Sequence, residues 1–245
     1  MSEFFIELFS EEIPANLQNK TRQDFFQNLK EFLEKEDIKY SGEATAFSIP
    51  NRLIVYFQNI SKKIIKKENE IRGPNINAPE DALNGFLKSY KISIDKTYKK
   101  KTDKGEFYFF KKPSESIETK FVLQKNLPKI LDKISWKKSM RWADHELYWG
   151  RPLKSILCCF DNKTLEFEYH HLVSSNITFI DKDFEQKTKK FVRFKDYLAF
   201  FKSQNIILDN KKREQFIVDQ LNRIAKKENL KIHFNSTLLN EVTNI

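Results

Sequence analysis

The segment Phe4-Phe5-Ile6-Glu7-Leu8-Phe9 decides the fold, because five of its six residues are apolar. Such a run indicates a mostly buried strand. Pro14 then suits the first turn of a helix. Ala44–Ile49 and residues 52–60 follow as two extended runs broken at Pro50-Asn51, which is typical of a hairpin. The chain therefore opens as β-α-β-β. The apolar face of the helix comprises Phe25, Phe26, Leu29, Phe32 and Leu33.

A second hairpin and a further helix are predicted in the middle of the chain. Leu153–Phe160 and residues 164–171 are extended runs on either side of Asp161-Asn162-Lys163, a segment with good turn chemistry. Residues 117–134 have helical periodicity, and we expect Pro128 to kink this helix or to end it near residue 127. Together these patterns predict an α+β fold: a mixed, mostly antiparallel sheet with packed helices, followed by a smaller helix-rich region.

The last quarter of the chain changes character. Residues 194–204 and 211–229 have helical periodicity, the second among many Lys and Arg residues, whereas the stretch 172–192 is polar and has no clear pattern. We therefore predict an α+β domain over residues 1–175. A smaller, basic, helix-rich domain, truncated on its carboxyl-terminal side, is expected over residues 176–245.

Composition is that of a globular protein and permits an anionic partner. Hydrophobic residues make up 40% and charged residues 32% of the 245 residues. The formal charge of +10 permits nucleic acid as a partner. A Lys-rich and Gly-poor composition, of the kind that AT-rich genomes encode, gives the same charge without any such partner. The sequence charge alone therefore leaves the two explanations open.

Cysteine usage and the amino terminus bear on the cellular compartment. Cys158 and Cys159 are adjacent, and alpha carbons about 3.8 Å apart are too close for an ordinary disulfide, so we expect two reduced, partly buried thiols. No apolar run approaches the roughly 20 residues of a membrane-spanning helix. The first residues lack the basic and apolar regions of a signal peptide. We expect a cytoplasmic location and no membrane contact.

The sequence contains none of the usual constellations for catalysis. Its 5 glycines form no phosphate-binding loop. His170 and His171 are neighbours on a predicted strand, where they point to opposite faces and do not share a metal ion. His145 has no nucleophile at a recognisable spacing and is expected to be a solvated loop histidine. We predict no catalytic residue, no metal site and no cofactor in this chain.

Aromatic and cationic residues alternate in one short stretch, which holds Trp136, Lys137, Lys138, Arg141, Trp142, Trp149 and Arg151. Cations between aromatic rings suit RNA, where arginine pairs with phosphates and rings stack on unpaired bases. Trp and Arg equally suit a protein interface. The tryptophans also suit a core, with the cationic stems covering apolar surface at its rim. Core, RNA contact and protein interface remain three open interpretations.

Five blocks follow one another in an informative order. The clearest is Lys138-Ser139-Met140-Arg141-Trp142, with Arg151-Pro152 at the expected distance after it. The others are Leu8-Phe9-Ser10-Glu11-Glu12-Ile13-Pro14-Ala15, Pro50-Asn51-Arg52-Leu53-Ile54-Val55, Arg72-Gly73-Pro74 with Gly85-Phe86, and a Leu-x-x-Glu-Val-Thr block from Leu238 to Thr243. No block is specific alone. In this order, across nearly the whole chain, they resemble the beta subunit of the two-subunit bacterial glycine–tRNA ligase.

One element of that family is missing. Its members usually carry Gly-His-Arg-Phe downstream of the second hairpin, and the corresponding stretch here is Ser174-Ser175-Asn176-Ile177-Thr178-Phe179. This stretch lacks the glycine, the histidine and the arginine. Whatever the element does in relatives is therefore not carried over to this chain.

The resemblance implies a function that this chain does not perform alone. In such enzymes the alpha subunit holds the class II active site for glycine and ATP, used with magnesium, while the beta subunit contributes tRNA binding and is needed for charging. The later HD-like and anticodon-binding domains of the beta subunit are not represented. We expect a truncated, noncatalytic amino-terminal region whose partners are the alpha subunit and tRNA(Gly).

Six residues are the candidates for contact with RNA or with the alpha subunit. Arg141, Trp142 and Arg151, together with Lys138, come first, and Arg52 and Arg72 come second. One alternative is a scaffold that contacts the alpha subunit without touching RNA. Another is an independent hydrolase that edits mischarged tRNA, for which the sequence shows neither a nucleophile nor a metal-bound water site.

Overall fold

Strand β1 (Phe4–Ser10) is buried along its whole length. In the computed structural model it lies in the middle of a five-stranded antiparallel sheet. Its neighbours are β3 (Arg52–Phe57) and β9 (Leu153–Phe160), and the outer strands are β2 (Ala44–Ile49) and β10 (Lys163–Thr164). The strand order is β10-β9-β1-β3-β2. The predicted buried strand, the hairpin of β2 and β3, and the α+β class are confirmed.

The structure describes residues 2–66, 68–180 and 187–245. The chain forms two compact units, Met1–Lys62 with Glu118–Ile245, and Lys63–Ile117. The helices are α1 (Ala15–Lys35), α2 (Glu80–Tyr90), α3 (Thr119–Leu131), α4 (Phe194–Ser203), α5 (Asn210–Lys227) and α6 (Ser236–Thr243), with a 3₁₀ turn at Ile94–Lys96. The remaining strands are β4 (Lys63–Lys66), β5 (Asn69–Asn75), β6 (Thr97–Thr102), β7 (Gly105–Lys112), β8 (Glu115–Glu118), β11 (Glu168–Tyr169), β12 (Leu172–Val173), β13 (Ile177–Phe179) and β14 (Thr188–Lys190).

Helices cover the central sheet on both faces, which accounts for the burial of β1. On one face, Phe26 of α1 stacks on Phe57 of β3, with ring centroids 5.4 Å apart. On the other, Phe194 of α4 stacks on Tyr56 of β3 at 4.1 Å. The core beneath α4 is rich in aromatic residues and includes Phe5, Phe47, Tyr56, Phe191, Phe194, Tyr197 and Phe201.

A carboxylate, Glu7, lies within this apolar core and is fully buried. Arg52 Nε is 3.3 Å from Glu7 Oε2, although the N–H does not point at the oxygen, so the contact is an ion pair without an aligned hydrogen bond. Thr178 and Tyr197 both donate hydroxyl hydrogen bonds to the Glu7 carboxylate. Burial and the nearby Glu7 raise the pKa of Tyr197 well above its usual range, which keeps its hydroxyl protonated as the donor.

The helices of the last quarter belong to the same unit as the central sheet. Phe194, Tyr197 and Phe201 of α4 are core residues. The Arg213 guanidinium of α5 donates to the carbonyl oxygens of Thr243 at 2.6 Å and Ser48 at 3.0 Å, which joins α5 to α6 and to β2. The predicted boundary at residues 175/176 therefore falls inside one compact unit, and the other unit is the inserted segment Lys63–Ile117. Residues 181–186, within the polar stretch 172–192, lie outside the described residues.

Two predicted elements differ in extent from the structure. Helix α3 runs through Pro128 to Leu131 and so does not end near residue 127, because proline removes only one hydrogen bond while Leu123, Leu127 and Leu131 are fully buried. The second hairpin pairs for only two residues, Lys163 and Thr164, before the chain leaves the sheet. Its turn is as predicted: both Asp161 and Asn162 have positive φ, as a two-residue type I′ turn requires.

His170 and His171 lie between β11 and β12 and form the tight turn of a small hairpin, with His170 at φ +51°. The prediction that they lie on a strand is wrong. Elsewhere in the described part of the chain, no helix is long and apolar enough to cross a membrane.

Replacing Arg52 by Ala tests the buried ion pair. Removing one partner leaves a buried, unpaired carboxylate, so we expect the free energy of unfolding to fall by about 3–5 kcal/mol. Urea denaturation followed by circular dichroism measures it. Lys154→Ala is the matched control, because Lys154 pairs with Glu11 on the surface and its loss is expected to cost less than about 1 kcal/mol. Equal losses in the two variants would contradict a stabilising role for the pair.

Candidate functional site

Four of the six candidate residues lie on one segment, residues 138–151, which we call the bridge loop. Met140 and Trp149 form an isolated antiparallel bridge within it. The Met140 amide donates to the Trp149 carbonyl at 2.8 Å, and the Trp149 amide donates to the Met140 carbonyl at 3.1 Å. Two hydrogen bonds therefore close the loop. Lys138 precedes the bridge by two residues and Arg151 follows it by two.

Two tryptophans anchor the bridge loop. Trp149 is 1% exposed, and its ring lies 5.1 Å from that of Trp136 and 6.1 Å from that of Tyr169. Glycine is required at position 150, because a Cβ at Gly150 would lie 2.1 Å from a carbon of the Trp136 ring. The core interpretation therefore holds for Trp149, whereas Trp136 is half-buried.

The rest of the bridge loop is accessible. Lys138 and Arg141 are exposed and form no ion pair or hydrogen bond with any described residue. Trp142 is half-buried. Arg151 is also half-buried, and its Nη1 donates to the Gly150 carbonyl at 3.1 Å. The structure thus places two unpaired cations and a partly exposed indole on one anchored loop.

Trp142 is held by two histidines that the sequence patterns did not join. The rings of His145 and His171 are parallel, with centroids 3.6 Å apart and an interplanar angle of 3°. Trp142 meets both edge-on, at 6.1 Å and 5.7 Å. His145 lies in a loop, as predicted, but it belongs to a packed aromatic cluster and is only partly exposed. The packing links the bridge loop to the tight turn at His170 and His171.

The remaining two candidates lie elsewhere. Arg52 is 3% exposed. Its guanidinium is occupied by Glu7, by the Phe179 carbonyl and by the ring of Phe9, whose centroid is 4.4 Å away. A surface contact through Arg52 does not fit this position, because reaching a partner would leave Glu7 buried and unpaired. Arg72 lies on β5 in the separate unit Lys63–Ile117 and is exposed.

The stretch that departs from the family pattern has a structural role in this chain. Thr178 donates to Glu7, and the carbonyl of Phe179 accepts from Arg52. Ser174 accepts from the Phe167 amide and donates to the Leu165 carbonyl, both at 2.8 Å. These contacts come from hydroxyl groups and backbone, so they need neither the histidine nor the arginine of the family element.

The titratable groups near β9 are not poised for reaction. Cys158 and Cys159 are free thiols, as predicted, and they are fully rather than partly buried. Burial, and secondarily Glu3, raises the pKa of Cys159 to about 12, so its thiol stays protonated at neutral pH. Among the residues the structure describes, no three His, Cys, Asp or Glu side chains come together in a way that would hold a metal ion.

Comparison with known proteins gives the family. The family model described as "Glycyl-tRNA synthetase beta subunit" matches residues 4–245. The chain is similar to the glycine–tRNA ligase beta subunits of Rickettsia felis, at 35% identity, and Rickettsia prowazekii, at 36%. Both alignments cover 100% of this chain and only 37% and 36% of the relatives, so it spans little more than a third of their length. The chain belongs to the glycyl-tRNA synthetase beta subunit family, as the five blocks predicted.

The environment of His171 in the histidine stack predicts that its pKa is lowered. Partial burial, then the neighbouring His145 and His170, lowers the pKa of His171 below its ordinary value. The folded state therefore resists protonation, and the contribution of His171 to stability is lost as the pH falls below about 6.5, where the unfolded chain takes up the proton first. Titration by NMR measures this pKa.

His145→Ala is expected to raise the pKa of His171, because it removes a neighbouring charge and part of the cover. His233→Ala is the control, since His233 lies in the link between α5 and α6. A His171 that titrates at or above the ordinary value in the unmodified chain would disprove the effect.

Proposed function

We propose that this chain is the noncatalytic amino-terminal region of a glycine–tRNA ligase beta subunit. It would support tRNA binding and assembly with a catalytic alpha subunit, in the ATP-dependent attachment of glycine to tRNA(Gly). The family and the names of its relatives support the enzyme, and the designation of a beta subunit supports a partner subunit. ATP and magnesium would be used by the alpha subunit, within a cytoplasmic heterotetramer.

The observation that carries the tRNA-binding role is the pair of unpaired cations on the bridge loop. Lys138 and Arg141 have no carboxylate partner among the described residues, so a phosphate would not displace an existing ion pair. Trp142 lies directly beside Arg141 and is partly exposed, which suits stacking on an unpaired base. The buried Trp149 and the Met140–Trp149 bridge hold these groups in place, which lowers the entropy lost on binding.

The runner-up is a scaffold that contacts the alpha subunit without RNA contact. It is favoured by apolar side chains exposed on the last two helices, including Phe216, Ile224 and Leu238, which are 53%, 56% and 59% exposed. Apolar surface of this kind marks contact with protein rather than with phosphates. The two functions differ in their dependence on salt, since only the first neutralises phosphates.

Binding of a tRNA(Gly) transcript to the chain at several salt concentrations separates the two functions. We expect the double variant Lys138→Gln/Arg141→Gln to bind more weakly and to flatten the dependence of log K on log salt by about 1 per lost phosphate contact. Arg223→Gln/Lys226→Gln on α5 removes the same charge elsewhere and is the matched control. If both double variants behave alike, the bridge loop is not the contact and only overall charge is sensed.

Capture of the alpha subunit in the absence of tRNA tests the assembly role. A chain that captures the alpha subunit, with tRNA affinity unaffected by the bridge-loop variant, would favour the scaffold. We expect Phe216→Ser/Leu238→Ser to weaken capture and the bridge-loop variant to leave it within about twofold, because apolar contacts at an interface core carry most of the binding energy.

A further inference from the structure

The unit Lys63–Ile117 contains a three-stranded antiparallel sheet of order β5-β7-β6. Helix α2 packs on one face of this sheet. Tyr90 of α2 contacts Phe110 of β7, and a Cβ on Gly73 of β5 would lie 2.9 Å from the Phe86 ring. Residues that alternate with Phe110 and Gly73 along their strands therefore point to the opposite face.

The opposite face carries aromatic and cationic side chains in register. Tyr98 of β6 pairs with Phe109 of β7, and Phe109 also pairs with Arg72 of β5. Two residues further along the same strands, Lys100 pairs with Phe107. We call Arg72, Tyr98, Lys100, Phe107 and Phe109 the aromatic sheet face. Arg72 and Lys100 are exposed, Tyr98 and Phe107 are partly exposed, and Phe109 is buried beneath its neighbours.

The cations lie over the rings. The Arg72 guanidinium carbon is 3.5 Å from the centroid of Phe107, and Lys100 Nζ is 5.3 Å from that of Phe109. Tyr98 stacks on Phe109 at 6.1 Å with an interplanar angle of 27°. Arg72 packs on this ring and is exposed, so a base can stack on the side of its guanidinium that faces away from Phe107.

Glu70 is the acidic residue of this face, and it is already neutralised. Lys100 Nζ donates to it at 2.6 Å and the Tyr98 hydroxyl at 2.5 Å. These hydrogen bonds, that of Lys100 first, lower the pKa of Glu70. Arg72 has no ion-pair or hydrogen-bond partner among the described residues, so its charge is available to a ligand.

The charge of the unit favours an anionic ligand. Residues 63–117 hold thirteen Lys and Arg against eight Asp and Glu. An acidic protein would neutralise the positive charge, but it would offer no planar group to stack on the aromatic residues Phe107 and Tyr98. A nucleic-acid duplex would offer phosphates but keep its bases stacked internally. Unpaired nucleotides offer both phosphates and free base faces.

We propose that the aromatic sheet face binds a short single-stranded RNA segment, with bases stacked on Tyr98 and on the side of Arg72 that faces away from Phe107, and with a phosphate near Arg72. We assign unpaired nucleotides of a tRNA as its biological ligand, and this assignment rests on the proposed function. The surface is distinct from the bridge loop, which lies in the other unit, so each is tested separately.

The test uses the 245-residue chain and a fluorescein-labelled eight-nucleotide RNA without secondary structure, followed by fluorescence anisotropy. We expect Phe107→Leu to weaken binding about tenfold, because Arg72 loses the ring that supports it beneath the stacked base, and Phe107→Tyr to retain it. Arg72→Gln is expected to weaken binding and to reduce the salt slope by about 0.7. Arg72→Lys, which keeps the charge and loses the plane, is expected to restore the salt slope but not the affinity.

Lys99→Gln is the matched control. Lys99 is the exposed neighbour of Lys100 on the same strand, points to the α2 side and lies 5.9 Å from the Tyr108 ring. It is expected to change affinity less than twofold. The proposal is overturned if Arg72→Gln and Phe107→Leu match this control, or if a duplex or polyglutamate competes as well as the single strand.

A tRNA(Gly) titration of the same variants distinguishes the two proposals. Loss of oligonucleotide binding in Phe107→Leu, with full-length tRNA binding weakened both in Phe107→Leu and in Lys138→Gln/Arg141→Gln, supports both surfaces. Oligonucleotide binding that depends on Phe107 in a chain that does not bind tRNA supports the sheet face and removes the proposed function. If tRNA binding depends on the bridge loop and the oligonucleotide does not bind, the proposed function is supported and the sheet-face proposal is overturned.

Discussion

One carboxylate governs how the larger unit is assembled. Glu7 lies in the middle of a strand whose residues are all buried, and a buried carboxylate is tolerated only when paired and hydrogen-bonded. Its partners come from three other segments: Arg52 on β3, Thr178 on β13 and Tyr197 on α4. Meeting that requirement fixes α4 and β13 against the central sheet, although both are far from β1 in sequence.

The need to pair the buried Glu7 also keeps one candidate cation, Arg52, away from solvent. Arg52 is held in the core by Glu7, so the candidate surface of the larger unit is reduced to the bridge loop, where the buried Trp149 supports exposed Lys138 and Arg141. Arg72 has no buried carboxylate beside it and instead lies on the partly exposed ring of Phe107. Two surfaces suited to anions therefore occur on two separate units, one as an anchored loop and one as a sheet face.

Much of the fold follows from local pattern. The apolar run of β1, the helical spacing of α1 and the Asp161-Asn162 turn each depend on short-range rules, and the structure agrees with all three. Local rules did not decide whether the helix would end at Pro128, and α3 continues to Leu131 because buried leucines on either side outweigh one missing hydrogen bond. The His145–His171 stack was beyond prediction, since its two rings come from segments that only the folded chain brings together.

The sequence by itself determined the family, through five ordered blocks, and the order of the longer helices and strands of the larger unit, because both depend on residue identity and spacing along the chain. It did not determine which of the matching residues face a partner. Arg52 and Arg141 each lie in a matching block, yet one is 3% exposed and the other is open to solvent. That difference arises because Glu7 lies on the strand next to that of Arg52 and forms an ion pair with it, a proximity that only tertiary structure creates.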